Sequence, residues 1–503
     1  MPSAALFPDL PKAIERVEKA LREKEVIAIF GDYDCDGVTS SAILHRYFAR
    51  RDVTPLILLP HRERDGYGLA AKHIQILLEK KVTLLLTVDT GVTALVPIHM
   101  AKDAGVDVIV LDHHTLPNTL PPATAILHPA LAPDFPKPHP CAAGVALMFV
   151  KALEKNVEWS EREVDIALAA IGTVADLVPL EGGNRTLVQA GLKALENIKT
   201  GPLKALTETA RSGEEPLTSR AIAFRIAPRL NAAGRMADPQ TALHALLGDE
   251  AALHSLHALN SERQELTKTL MEHALECVAA KASTPFIFLA SHDYPAGIVG
   301  LLAGRLTEIF GKPSLVGTII EGSCRASLRS IPSYNVMEGL NACSAYLSNY
   351  GGHAQAAGCA FAVTDIPIVE KILCDHLADK VSSEFLVPTL MIDAELAPEQ
   401  FTVEDFAQLT SLEPYGQGNP EPRFLLSQAK IERTRRVGTD GAHLQAMIGH
   451  LPVIGFHLGS LADQCTQPLD VACRLMLDTW QGRAQPKIVM EDVRVPQHVP
   501  AST

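Results

Sequence analysis

Short runs of β-branched and aliphatic residues recur through the first part of the chain, and three of them end directly on acidic or histidine residues. Val26 to Phe30 leads into Gly31-Asp32-Tyr33-Asp34-Cys35-Asp36-Gly37, Leu84 to Val88 into Asp89, and Val108 to Leu111 into Asp112-His113-His114. With Leu56 to Leu59 and Ala125 to Leu127, these runs are the strand candidates. Around them, Pro11 to Arg22, Ser40 to Ala49, Ala70 to Lys80 and Ala94 to Ala104 are amphipathic, helix-like stretches. Strand and helix in alternation specify a parallel sheet with helices on both faces. In such open sheets the carboxyl ends of the strands line the ligand crevice, so three separate segments are expected to deliver their acids to one place.

Carboxylates packed together raise one another's pKa, and a bare cluster is unstable at neutral pH unless cations compensate it. Aspartate with histidine, and no required thiolate, suits an octahedral hard-to-borderline ion; the imidazole moves the expectation from Mg2+ toward Mn2+. On this reasoning Asp34, Asp36, Asp89 and His113 form a metal cage. Cys35, between two of the acids, is expected to point away from them as a buried, inert thiol.

With 503 residues, the chain exceeds what one core usually organises, and several domains are expected. Its nine cysteines include no C-x-x-C pair, which suits reduced thiols better than a disulfide framework. No apolar run is long enough to cross a bilayer and no charged-then-apolar leader begins the sequence, so a soluble cytoplasmic protein is expected, with no membrane partner. A formal charge of -13 gives no global attraction for nucleic acid, and any such binding needs a local basic groove.

Further along, Asp249 to Ala282 carries leucines at helical spacing without proline and reads as one long helix joining two domains. A second α/β pattern starts at Phe286 to Leu289. After a composition change near Val387 and Pro388 come short strand candidates, Ala429 to Arg433, Leu444 to Ile448, Val453 to His457 and Lys487 to Met490, which suit a small β-barrel.

The Asp32 to Gly37 segment and the Asp112-His113-His114 triplet resemble the first and the name-giving motifs of the DHH phosphoesterase superfamily. Its Gly-Thr-Val-Ala-Asp-Leu-Val-Pro-Leu motif is similar to Gly172 to Leu180 and implies Asp176 as the last carboxylate ligand. The resemblance implies two divalent cations: Asp34 and Asp36 would take one each, Asp89 would bridge them, and His113 and Asp176 would complete one site. Asp32 and Asp112 would stand behind the ligands, and His114 would face the substrate or support the cage. Gly351-Gly352-His353 resembles the glycine-glycine-histidine motif of DHHA1 domains, whose histidine contacts the scissile phosphate.

Other segments resemble RecJ-type exonucleases: Pro60-His61-Arg62 with Gly66-Tyr67-Gly68, Ala227 to Met236, Ser327-Leu328-Arg329-Ser330, and Leu412 to Pro420 leading into an OB-type domain. By that resemblance Arg62, Ser327 and Arg329, with Ser330, would hold the 5′ end, and Arg229, Asn231 and Arg235 would line the strand path. Arg433, Arg435, Arg436, Phe456 and Trp480 are candidates for a single-strand groove. The implied layout is a parallel-sheet DHH domain over 1–200, a helical connector over 201–281, a smaller α/β DHHA1 domain over 282–384 and an OB-like barrel over 385–503.

The implied activity is 5′-to-3′ hydrolysis of single-stranded DNA to 5′-mononucleotides in repair and recombination, by a monomer, with a single-strand-binding protein and a helicase as partners. Two competing readings depart from this activity, the first with the same cage and the second without a working one. One is a phosphodiesterase for short oligonucleotides or cyclic dinucleotides, disfavoured by the Ala227 to Met236 and C-terminal segments. The other is a non-catalytic replication scaffold, disfavoured because every ligand position is filled. DHH pyrophosphatases place a histidine before the aspartates, where this chain has Phe30. Two departures from the family stand out: a short segment before the first motif, and Tyr294-Pro295 where relatives carry Trp-His.

Overall fold

A computed structural model of the chain describes residues 2–66, 68–154, 157–211, 216–280, 284–382, 389–397, 403–438, 440–478 and 485–496. They fall into two compact units. One comprises Met1–Val178, Gly182–Ala210 and Ala221–Pro388; the other comprises Pro179–Glu181, Arg211–Arg220 and Thr389–Thr503.

The first unit opens with helix α1 (Leu10–Glu23) and a five-stranded parallel sheet: β1 (Ile27–Gly31), β2 (Leu56–Leu58), β3 (Leu84–Val88), β4 (Asp107–Leu111) and β5 (Ala125–Leu127), in the order β2-β1-β3-β4-β5. Every residue of β1 and β3 is buried. A strand covered on both faces reads as a continuous apolar run without alternation, as these do. Gly31 pairs with Val88 and Val88 with Leu111, so the three strands end level. Asp32, Asp89 and Asp112, the residues that follow, therefore leave the sheet side by side.

Helix α2 (Cys35–Ala49) starts earlier than the expected Ser40, because the acidic segment is itself its cap. The Asp34 carboxylate accepts the amides of Asp36, at 3.0 Å, and Gly37, at 3.1 Å. Only glycine fits at Gly37, where a Cβ would lie 2.5 Å from the backbone N and O of Asp32. After α3 (Ala71–Glu79) and α4 (Leu95–Asp103) come α5 (Ala142–Leu153), α6 (Glu163–Ala175) and α7 (Gly182–Asn197). Helices α2 and α6 run in opposite directions. The buried Asp165 near the start of α6 takes Arg46 Nε at 2.5 Å and Arg50 Nη2 at 2.9 Å from the end of α2. At the other end of the pair, Asp36 on α2 meets the residues around Asp176.

Helix α8 (Pro202–Ala210), a single turn α9 (Ser219–Ala221), a π-helical turn (Ile222–Ile226), α10 (Ala227–Met236) and α11 (Gln240–Leu246) lead to α12 (Glu250–Ala280). The 31 residues of α12 are the long helix expected over Asp249 to Ala282. The second sheet has the order β6-β7-β8-β10-β9: β6 (Ile287–Ser291), β7 (Ser314–Ile320), β8 (Ser323–Arg329), β9 (Leu347–His353) and β10 (Ala356–Ala362). Helix α13 (Ala296–Phe310) links β6 to β7, its second residue so close to α10 that a Cβ on Gly297 would lie 2.1 Å from the Arg235 carbonyl oxygen. Helices α14 (Val336–Ala342) and α15 (Ile366–Lys380) complete this half.

The second unit carries α16 (Val403–Thr410) and a mixed seven-stranded sheet, β11-β12-β16-β17-β15-β14-β13. Its strands are β11 (Ala394–Glu395), β12 (Phe424–Ala429), β13 (Ile431–Val437), β14 (His443–Ile448), β15 (Leu451–Gly455), β16 (Leu469–Asp478) and β17 (Gln485–Arg494). The expected Ala429 to Arg433 strand is in fact the junction of β12 and β13. Strand β16 was not foreseen: charged Asp470 and Arg474 interrupt its apolar pattern, and their partners, Arg494 and Glu491, are distant in sequence. Val387, Pro388, Tyr67 and Trp480 lie outside the described residues. All nine cysteines are free thiols, and no helix among the described residues is long and apolar enough to cross a membrane.

Candidate metal centre and phosphate site

Asp32, Asp36 and Asp89 are 4%, 1% and 2% exposed, so three carboxylates are buried within one cluster. His113 reaches into it: its Nε2 lies 3.3 Å from Asp89 Oδ1, 3.6 Å from Asp176 Oδ2 and 3.8 Å from Asp36 Oδ2. Three overlapping sets each place one donor atom per residue within 4.8 Å of the others: Asp36, His113 and Asp176; Asp32, Asp34 and Asp89; and Asp89, His113 and His114. Asp32, expected behind the ligands, thus stands at ligand distance itself. Asp89 and His113 belong to two sets each, which is what a pair of neighbouring ions sharing ligands requires.

Asp32 Oδ1, Asp89 Oδ1 and His113 Nε2 are buried without a hydrogen-bond partner. Buried polar atoms left unpaired are costly, and here all three point into one oxygen- and nitrogen-lined space, which fits hard divalent cations. The charges agree. Burial, then the neighbouring Asp34, pushes Asp36 up to about 6; burial, Asp36 and Asp34 push Asp176 up to about 9. Burial and the same carboxylates also raise Asp89 well above its ordinary value. His113 is pushed down to about 4 by burial and by His114, and His353 also acts on it. A neutral imidazole is the form that ligates a metal.

Asp36 is steadied by a helix start that the sequence reading missed. Its Oδ2 accepts the Ala142 amide at 2.8 Å and its Oδ1 the Ala143 amide at 2.9 Å, both from the first turn of α5. The positive end of a helix dipole favours a carboxylate there. Asp112 does not face the cage. It accepts the amides of His113, at 2.7 Å, His114, at 3.1 Å, and Val92, at 3.0 Å, and its Oδ1 is 2.8 Å from His114 Nδ1. Burial opposes charge on both members of this pair, but their mutual bond outweighs it, holding Asp112 down to about 2 and lifting His114 to about 9. Without cations in the cage, the bond to Asp112 thus favours the protonated form of His114.

Arg62, Arg235 and Arg329 gather nearby. Arg235 is pushed down to about 10 by burial and then by Arg62, Arg263 and Arg329. Arg62 stacks on Tyr33, with the guanidinium 4.2 Å from the ring centroid, and Arg235 Nη1 donates to Gly297 O at 3.1 Å. On β8, Arg329 Nη2 and Ser327 Oγ both face Gly300 of α13. Arg263, on α12, was missed by the sequence reading because a lone arginine on a leucine-patterned helix carries no local signal. Its Nε is buried without a hydrogen-bond partner, and burial, Arg305 and Arg229 lower its pKa. Among the described residues, none of Arg62, Arg229, Arg235, Arg263 or Arg329 makes an ion pair, in a chain with 58 acidic residues. A basic cluster left without carboxylates suits a polyanion.

Three expected strand contacts are engaged within the protein. Asn231 Oδ1 accepts the Cys35 amide at 2.9 Å and so holds the acidic segment; Ser330 Oγ donates to Tyr334 O at 2.7 Å; Arg229 Nε meets His257 Nδ1 at 3.3 Å. Gly351, Gly352 and His353 end strand β9, and Gly352, at φ 142°, lies so close to β10 that a Cβ would fall 2.5 Å from Ala356 O. Cys35 is buried as expected, though on a helix. Tyr294 is 1% exposed, with its hydroxyl 2.9 Å from His273 Nδ1, so it packs as core.

Three family models match the chain: the DHH family N-terminal domain over residues 26–171, the DHHA1 domain over 283–379 and the RecJ OB domain over 392–492. The single-stranded-DNA-specific exonuclease RecJ of Thermus thermophilus is 36% identical, the match covering 99% of this chain and 73% of that protein. The chain belongs to the RecJ family. The Bacillus subtilis RecJ exonuclease is 31% identical over 97% of this chain, which spans 63% of that relative's length. Among solved structures, Thermus thermophilus RecJ in complex with Mn2+ superposes with a TM-score of 0.86 at 32% identity, covering 98% of this chain and 72% of that one. The Mg2+ complex of the same protein gives 0.78 at 31% identity, over 98% and 71%. The likeness extends through the DHH, DHHA1 and OB parts in order, as their motifs implied.

The glycine that opens the Gly172 to Leu180 motif has a steric reason. A Cβ on Gly172 would lie 2.7 Å from each of Asp36 Oδ1, Thr39 Oγ1 and Ala143 Cβ, where α2, α5 and α6 meet. Gly172→Ala gains up to about 1 kcal/mol of helix propensity. Overpacking costs about 1–3 kcal/mol, so the net change is destabilising. Thermal unfolding should show a lowered Tm, and calorimetric Mn2+ titration a weakened affinity because Asp36 is displaced. A Tm at or above the original would count against the contact.

Proposed function

We propose that this RecJ-family chain is a single-stranded-DNA-specific exonuclease that removes 5′-mononucleotides from the 5′ end. The observation that carries the reading is the convergence of buried acids and His113 into overlapping ligand sets beside a basic cluster that forms no ion pair among the described residues. Asp34, Asp36, Asp89, His113 and Asp176 would hold two divalent cations, Mn2+ in preference to Mg2+. When bound, such ions supply a hydroxide from water and neutralise the phosphate under attack.

The protein's own groups bind and orient the strand. Arg62, Ser327 and Arg329 hold the terminal phosphate, where planar guanidinium forks match its oxygens. Arg235 and Arg263 neutralise the phosphates next to it. His353, from the second sheet, donates a hydrogen bond to a scissile phosphate oxygen as charge builds there. His114, kept protonated by Asp112, adds positive charge on the cage side. The same reading places a monomer in the cytoplasm, on strands that a helicase opens and a single-strand-binding protein coats.

Incubating the protein and Mn2+ with strands labelled at either end, with and without a 5′ phosphate, tests this. Label at the 5′ end should be released first as mononucleotide. A charge-assisted hydrogen bond is worth about 1.5–3 kcal/mol, so Arg329→Gln should cut kcat/KM on 5′-phosphorylated strands by roughly 10- to 100-fold and much less on strands lacking that phosphate. Release from the 3′ end first, or cleavage confined to dinucleotides, would overturn the reading.

A further inference from the structure

The Asp112 carboxylate holds one face of the Asp112-His113-His114 turn, its amide face. Its carbonyl face is held by a residue that no motif singled out. His128 follows strand β5, next to β4, and is 1% exposed. Its Nδ1 accepts the Ala130 amide at 3.1 Å, capping the turn that follows. An accepting Nδ1 leaves the ring proton on Nε2. That atom lies 2.7 Å from the carbonyl oxygen of His114 and so donates to it. The turn that carries His113 is thereby clamped from both sides: Asp112 takes the amides of His113 and His114, and His128 takes the carbonyl of His114.

We propose that His128 is a positioning residue that sets the His113 imidazole at ligand distance from Asp36, Asp89 and Asp176. Its ring does not enter the cage. It acts through the backbone of residue 114, so the property it controls is cation affinity. Partners that orient ligands from behind commonly change metal affinity by about 10- to 100-fold when removed. The inference rests on the cage reading above.

Two substitutions separate the two hydrogen bonds. In His128→Asn the side-chain oxygen still reaches the Ala130 amide as a cap, but the amide nitrogen falls short of the His114 carbonyl. In His128→Gln the longer side chain places its nitrogen near the Nε2 position and gives up the cap. Mn2+ affinity measured by calorimetry, with thermal unfolding of each cation-free variant beside it, reads the difference. The expected result is about a tenfold rise in Kd for His128→Asn and a Kd near the original for His128→Gln. If both variants bind Mn2+ as the unsubstituted protein does, or only His128→Gln is weakened, His128 is a cap and nothing more, and the inference is overturned. If the unsubstituted protein fails to bind Mn2+, the cage reading itself falls.

Discussion

Asp89→Asn is expected to lower hydrolysis of single strands by on the order of 10³-fold, about 4 kcal/mol of barrier, while leaving strand binding within a few-fold. Asp89 belongs to two of the three ligand sets and its Oδ1 has no hydrogen-bond partner, so no other carboxylate takes its place. Asparagine is the informative substitution because Asp89 sits at φ 59°. Asparagine tolerates that left-handed conformation; alanine adds backbone strain that would blur the result. Binding should survive because Arg62, Arg235 and Arg329 are untouched. A matched pair of assays, turnover with Mn2+ and anisotropy of a labelled strand with a chelator, separates the two. Retained turnover would remove Asp89 from the cage. Lost binding in the chelated variant would mean that Asp89 itself helps to shape the strand site.

Stripping the cations should make stability fall as pH rises from about 7 to 9. Asp176, raised to about 9 by burial and by Asp36 and Asp34, and His114, raised to about 9 by Asp112 against burial, both hold protons in the folded state that the unfolded chain has released. A folded state that binds more protons loses stability as pH rises. Asp112, held down to about 2, and His113, pushed down to about 4, act in the opposite sense. Their unfolded values of roughly 4 and 6.5 mean that both have finished below this window. Tm in the presence of a chelator should therefore decline across pH 7–9, and Asp176→Asn should flatten the decline. Adding Mn2+ at a hundredfold excess over Kd should restore about 2.7 kcal/mol per site, with proton release visible as a buffer-dependent binding enthalpy. A chelated protein that grows more stable between pH 7 and 9 would contradict the charge assignment.

Both expectations rest on residues legible to different degrees. Asp34, Asp36, Asp89 and His113 could be gathered from the chain alone because each follows a buried strand, and parallel strands in register end level. Periodicity likewise marked the 31-residue helix α12. Strand β16 escaped it, since charged residues paired across the sheet break the alternation. Arg62, Arg229, Arg235 and Arg329 were reached only through the family resemblance; Arg263 escaped, being indistinguishable in sequence from a solvated arginine, and Asn231, expected along the strand path, instead anchors the Cys35 amide.

Local sequence thus determined which strands end in acid and where those ends point, because side-chain alternation and helix period act over a few residues. Tertiary structure decided the rest of the centre. Asp176 reaches the acids because α6 lies against α2 in the opposite direction, locked at the far end by Asp165 with Arg46 and Arg50. The amides of Ala142 and Ala143 reach Asp36 because α5 starts there, and His128 reaches the His114 carbonyl because β5 lies beside β4. Each of these contacts joins residues far apart in the chain, and nothing in the spacing of either partner encodes the other.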